Sequence, residues 1–253
     1  MELVINGMRI HYIDQGTGPT VLMLHGWGSG VDVWAPFLAM LSHDLRFVAL
    51  DFPGCGQSDL PDHPLTTDDY ADLVMQFIRA LDLKDFAMVG HSHGGRVIMK
   101  MAGSGMVKPT KIVFLDAAGI KPKKSFKKSI KVATYKTIRR LLSLPFIRNY
   151  TADLLNKARA HFGSSDYNNA PEVMRKTLVN LVNDDMTDLL PNIACPTFLI
   201  WGDRDTATPL YMAHILEEKI ADTGLAVFEG TGHFSFLEQP GRAAAILKSF
   251  LAE

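Results

Sequence analysis

The sequence predicts an α/β protein: a mostly parallel, doubly wound sheet with helices on both faces and a helical insertion over the strand ends. Three observations predict this. Short, wholly apolar runs such as Val21-Leu22-Met23-Leu24 and Ile112-Val113-Phe114-Leu115 read as strands buried on both faces. Segments with helical periodicity stand between them, as in 66–81 and 240–251. The alternation stops for about 75 residues, from Gly119 to Pro191, and resumes at Thr197.

The elements follow in order. Asn6-Gly7 between two short apolar runs predicts a hairpin. Val21 to Leu24 ends in His25-Gly26, and the strand-like run Leu45 to Leu50 ends in Asp51-Phe52-Pro53-Gly54. Within 66–81, Tyr70, Leu73, Val74, Phe77, Ile78 and Leu81 recur at helical spacing. Thr66 or Thr67 caps that helix, with acidic residues in its first turn. A strand at Phe86-Ala87-Met88-Val89 precedes a helix that begins near Gly95, and a further strand is Ile112 to Leu115. After the interruption come a strand at Thr197 to Trp201, a helix near 209–220, a strand at Leu225 to Phe228, and a last helix from Pro240 to Leu251. The expected organisation is a core of 1–118 and 192–253 with a helical cap, or lid, of 119–191.

With 253 residues, one domain with an insertion fits better than two domains. Hydrophobic content of 47% and charged content of 21% are ordinary for a globular protein. A net charge of -1 gives no global reason to expect nucleic acid as partner. Cys55 and Cys195 are too few for a disulfide framework and lack zinc-ligand spacing, so no metal or cofactor is expected. The first residues alternate like a strand, without a basic n-region, apolar h-region or cleavage site, and no apolar run approaches membrane-spanning length. A cytoplasmic location without membrane insertion is the expectation.

The chemistry concentrates in Gly90-His91-Ser92-His93-Gly94, between a strand pattern and a helix pattern. Gly-x-Ser-x-Gly in that context is the sequence form of a nucleophile elbow. Side chains at Gly90 and Gly94 would collide with neighbouring backbone, while the turn lifts the serine hydroxyl out and brings the N–H of His93 beside it. Serine at its ordinary pKa needs an adjacent base. The candidate is His233, in the turn Gly230-Thr231-Gly232-His233 between the last strand and the last helix. The histidine needs an acid to fix its tautomer, and the candidate is Asp205 in Trp201-Gly202-Asp203-Arg204-Asp205.

The chain order Ser92, Asp205, His233 resembles that of the α/β-hydrolase superfamily, in its serine-nucleophile, esterase-like branch with an inserted cap. Gly18 to Gly26, Asp51 to Ser58, Cys195 to Asp205 and His233 to Pro240 are similar to that family as well. The resemblance implies that the N–H of Trp27 is the second oxyanion donor beside that of His93. It favours Asp205, the second aspartate of Gly-Asp-x-Asp, as triad acid. Asp203 stays open as an alternative, as does Asp116, at a position that some relatives use. His25 reads as architectural under the oxyanion loop, His91 as packed behind the elbow, and Arg96 as structural. The His93 ring either faces the pocket or serves only through its N–H. Trp27 and Trp34 fit core and pocket wall equally.

A serine nucleophile argues against haloalkane dehalogenases and epoxide hydrolases, which attack saturated carbon with aspartate. Acyl transfer to water is the natural reading, and the expectation is a carboxylesterase acting on small to medium acyl esters. The Gly-Asn-Ser elbow of the carbon–carbon bond hydrolases is absent. That activity remains an alternative, with a hydroxynitrile lyase and a low-turnover ligand receptor. Between Asp116 and Asp153 stand ten basic residues and no acidic one, Lys124, Lys127, Lys128 and Lys131 sharing one helical face. The expected substrate is a small-molecule ester. The basic segment adds an anionic substrate or an acidic protein partner, such as an acyl carrier protein bearing a methyl ester, with a plain solvated helix face as the alternative.

Overall fold

Strand β1 (Glu2–Ile5) reverses into β2 (Met8–Gly16) with Ile5 opposite Met8. Asn6 and Gly7 both have positive φ, 52° and 78°, as a two-residue hairpin turn of the twist-matching type requires. The computed structural model describes residues 1–122 and 165–252. Its remaining strands are β3 (Thr20–Leu24), β4 (Arg46–Leu50), β5 (Ala87–His91), β6 (Ile112–Leu115), β7 (Thr197–Gly202) and β8 (Thr223–Phe228). They form one sheet in the order β1-β2-β4-β3-β5-β6-β7-β8. β1 and β2 are antiparallel to each other, β2 is antiparallel to β4, and every later pairing is parallel.

The apolar runs are strands because both of their faces are covered. Leu22, Leu24, Met88, Phe114 and Trp201 pack into one core layer, under α2 (Thr67–Ala80) and α3 (His93–Gly103). Val21, Met23, Val89, Val113 and Ile200, their neighbours in sequence, pack into the other, under α1 (Ala35–Leu41). A strand alternates its side chains, so a sheet buried on both sides needs apolar residues at every position. Helices α4 (Ser165–Asn169) and α5 (Glu172–Asn183) lie in the stretch expected as cap. They are followed by α6 (Tyr211–Lys219), α7 (Ser235–Glu238) and α8 (Pro240–Leu251). Of the basic segment, all but Lys121 falls outside the described residues.

Thr66 caps α2: its hydroxyl accepts from the Asp69 N–H, and the Asp69 carboxylate accepts from the Thr66 N–H at 2.7 Å, a reciprocal capping box. Helix α1 has no counterpart in the sequence reading. Seven residues make two turns, too short for periodicity to show, and the helix holds because Phe37 and Leu41 are buried.

The parallel strands all end at one edge. His25 follows β3, Asp51 follows β4, Ser92 follows β5 and Asp116 follows β6. Beyond β7 and β8 the loops carry Asp205 and His233 to the same edge. Among the described residues no helix is long and apolar enough to cross a membrane.

Candidate active site

Ser92 sits between β5 and α3 with φ 48° and ψ -111°, a left-handed conformation that is strained for a residue with a side chain. Three constraints hold it there. The Ser92 N–H donates to the Leu115 carbonyl at 3.1 Å, and the Ser92 carbonyl accepts from the N–H of Ala118 at 2.9 Å. The Gly94 N–H donates to the His25 carbonyl at 3.1 Å. A Cβ at Gly94 would lie against the Leu24 carbonyl, and one at Gly90 would meet Ile98 and the Gly95 nitrogen within 2.7 Å. The glycines are therefore needed for the close approach of α3 to the sheet.

The structure brings Ser92, His233 and Asp205 together. His233 Nε2 lies 3.0 Å from Ser92 Oγ, and His233 Nδ1 lies 2.7 Å from Asp205 Oδ2. An ionised carboxylate only accepts, so Nδ1 carries the proton and Nε2 is left to accept from the serine hydroxyl. Burial alone would raise the Asp205 carboxyl, but hydrogen bonds from His233 and Thr208 outweigh it and hold the group below the ordinary carboxylate range.

Asp116 and Asp203 do not contact the His233 ring nitrogens. Asp116 is fully buried and accepts from the Gly202 N–H at 2.8 Å, the Ser235 N–H at 3.1 Å and the Ser235 hydroxyl at 2.6 Å. It ties the end of β7 to the loop that carries His233. Burial pushes its carboxyl up to about 6 in spite of these donors. Asp203 is exposed and accepts from the Gly230 N–H at 2.7 Å.

Thr208 was not singled out from the sequence. Its hydroxyl donates to Asp205 Oδ2 at 2.6 Å and lies 3.2 Å from His233 Nδ1, while its N–H donates to Asp205 Oδ1 at 2.9 Å. The signal was present as Asp205-x-x-Thr208, an aspartate that caps its own following turn.

Three histidines surround the serine, all buried. His25 Nε2 accepts from the Phe52 N–H at 2.9 Å, so Nδ1 carries the proton and donates to the Gly26 carbonyl at 2.7 Å. His91 Nε2 donates to the His233 carbonyl at 2.9 Å, and the ring packs on Gly26 and Phe236. Burial, with His233 nearby, pushes His91 down to about 3. The His93 ring packs among Trp27, Phe52 and Tyr70. Trp34 is wholly buried in the core beside Phe37 and Phe236, whereas Trp27 is half-buried at the site. Arg96 donates to the Asp184 carbonyl at 2.7 Å, joining α3 to the chain beyond α5. Among the described residues neither the Trp27 N–H nor the His93 N–H has an acceptor. No cluster of three or more His, Cys, Asp or Glu side chains among them is placed to hold a metal ion.

A model of the alpha/beta hydrolase family matches residues 21–246, which takes in the six strands from β3 to β8 and the site loops. The chain belongs to the alpha/beta hydrolase family. Among its relatives in this family is the 2-hydroxymuconate semialdehyde hydrolase of Pseudomonas sp. strain CF600, 28% identical, covering 100% of this chain and 93% of that protein. Another is the pimeloyl-[acyl-carrier protein] methyl ester esterase of Vibrio vulnificus, 26% identical over 95% of this chain and 97% of that one. A solved esterase from Exiguobacterium antarcticum superposes with a TM-score of 0.78 over 99% of this chain and 98% of its own, at 22% identity. These three are a hydrolase and two esterases, and the family fold accounts for the site at the carboxyl edge of the sheet.

Proposed function

We propose that the protein is a serine hydrolase of carboxylic esters, working through an acyl-enzyme, with Ser92 as nucleophile, His233 as base and Asp205 as orienting acid. The observation that carries this reading is the continuous relay from Ser92 Oγ to His233 Nε2 at 3.0 Å and from His233 Nδ1 to Asp205 at 2.7 Å. Each step follows from those contacts. His233 Nε2 takes the serine proton as Oγ attacks the ester carbonyl. Negative charge develops on the carbonyl oxygen, and the N–H groups of Trp27 and His93 receive it. Among the described residues both lack an acceptor, and the second opens the eleven-residue helix α3, whose N-terminal end favours negative charge. The intermediate collapses, the alcohol leaves with the proton from His233, and water repeats the cycle on the acyl-enzyme.

The test is hydrolysis of p-nitrophenyl esters from acetate to decanoate by wild type and Ser92→Ala. Turnover that peaks at one chain length and disappears in the variant supports the reading. Wild-type turnover that persists in Ser92→Ala overturns it. So does a folded protein that neither hydrolyses any ester nor reacts with a fluorophosphonate.

A second reading narrows the substrate to an ester carried by an acidic protein. The ten basic residues between Asp116 and Asp153 favour it, as does the likeness to an esterase whose substrate is linked to acyl carrier protein. Under this reading activity on the carrier-linked ester falls steeply between low and physiological salt and on charge reversal at Lys124, Lys127 and Lys128, while activity on p-nitrophenyl esters does not. Equal salt dependence of the two substrates excludes it.

A further inference from the structure

Among the described residues the imidazole of His93 has no hydrogen-bond partner. It is 4% exposed, yet neither ring nitrogen makes a hydrogen bond. The rings of Tyr70, Phe52 and Trp27 stand around it, with centroids 4.6, 5.1 and 6.3 Å away. Burial, and the Arg96 cation one helical turn along α3, hold the ring neutral. A neutral imidazole has one donor and one acceptor, and leaving both unmet in a buried place is costly. His25 uses both nitrogens within the chain, and His91 uses Nε2 and leaves only Nδ1 unmet, whereas His93 leaves both. A leucine or methionine would fill an aromatic-lined space at least as well without an unmet donor and acceptor. What meets the side chain is therefore not among the described residues.

Its position says what. The ring belongs to the residue after Ser92 and packs edge-on toward Trp27, and these two residues carry the N–H groups assigned above to the oxyanion. A group that reaches this ring is within a few bonds of the scissile carbonyl. A carboxylate suits the place poorly, because a neutral ring has no charge to offset its desolvation. We infer that the His93 imidazole hydrogen-bonds an uncharged oxygen substituent, a hydroxyl or keto group, on the substrate near the scissile carbonyl. The enzyme then selects oxygenated esters over plain alkanoyl esters. The inference rests on the serine-hydrolase reading and narrows its substrate class.

The experiment compares kcat/KM for ethyl hexanoate, ethyl 2-hydroxyhexanoate and ethyl 3-hydroxyhexanoate in wild type, His93→Leu and His93→Gln. Wild type should favour one hydroxy ester by about tenfold or more. In His93→Leu the ratio should fall to about one, whatever happens to the absolute rates, because both esters share the same oxyanion donors. His93→Gln, which keeps a donor and an acceptor, should restore part of the preference. A wild-type ratio near one, as expected if the ring merely holds a water, overturns the inference, and so does a preference that survives in His93→Leu.

Calorimetric binding of hexanamide and its 2- and 3-hydroxy derivatives separates this inference from the reading on which it rests. A hydroxyl preference in affinity that His93→Leu abolishes supports the inference even if no ester is hydrolysed. Absence of that preference overturns it even if esters are.

Discussion

The His91 ring donates its Nε2–H to the main-chain carbonyl of His233 at 2.9 Å. The bond joins the residue before the serine to the residue proposed to take its proton, 142 positions later in the chain. It crosses from β5 to the loop after β8 and fixes the height at which the His233 ring meets Ser92. His91→Leu leaves the carbonyl unpartnered. We expect a loss of about 1–3 kcal/mol in stability and a fall in kcat with KM little changed. Urea unfolding together with steady-state kinetics reads both. Undiminished kcat in a stably folded His91→Leu would show that the bond does not position His233.

Thr208 holds Asp205 by hydroxyl and main chain together. Thr208→Val keeps the shape and the N–H but removes the hydroxyl, a hydrogen bond to a charged group. Such a bond contributes about 1.5–3 kcal/mol. The Asp205 carboxyl should rise, because the hydroxyl is one of the donors that hold it down. The expected result is a lower kcat and an acidic limb of the pH–rate profile displaced upward. An unchanged profile would mean that His233 alone sets the state of Asp205.

Stability should fall on acidification from neutral pH. The folded protein keeps His91 at about 3, against 6.5 for an ordinary histidine. The unfolded chain therefore takes up a proton that the folded one refuses. That contribution is complete above 6.5 and is lost progressively as the pH falls toward 3. Burial lowers His25 and His93 in the same direction. Asp116 opposes them: raised to about 6 from 3.8, it is protonated first in the folded state, so its contribution improves as the pH falls through that window. Three histidines outweigh one carboxyl, and unfolding free energy should drop between pH 7 and pH 5. Urea midpoints that stay flat across this range would contradict the assignment of three neutral buried histidines.

Ser92 holds a conformation that costs a residue with a Cβ on the order of 1–3 kcal/mol. Ser92→Gly relieves it and should raise stability by about 1 kcal/mol. Ser92→Ala removes the same hydroxyl but keeps the Cβ, and should not stabilise to the same degree. Thermal unfolding of the two variants side by side separates backbone strain from loss of the hydroxyl. Equal shifts would place the strain elsewhere.

The sequence alone determined what is local. The hairpin at Asn6-Gly7 needs two residues of positive φ, and those two residue types tolerate it. The strands between helices are visible because burial on both faces demands unbroken apolar runs. The elbow is visible because its close approaches admit only glycine at 90 and 94. The order Ser92, Asp205, His233 could likewise be read from loops that each follow a recognisable strand. Which carboxylate serves His233 was not local. Asp116, Asp203 and Asp205 all lie at the same sheet edge, and their differing partners decide between them. Asp116 is taken by Ser235, 119 residues away, Asp203 by Gly230, and Asp205 faces the His233 ring. The roles of Thr208 and His91, the short helix α1 and the aromatic surroundings of the His93 ring were decided in the same way, by tertiary structure. A hydrogen bond or a buried face between distant segments leaves no period and no motif in the chain; it exists only once the sheet brings its strand ends together.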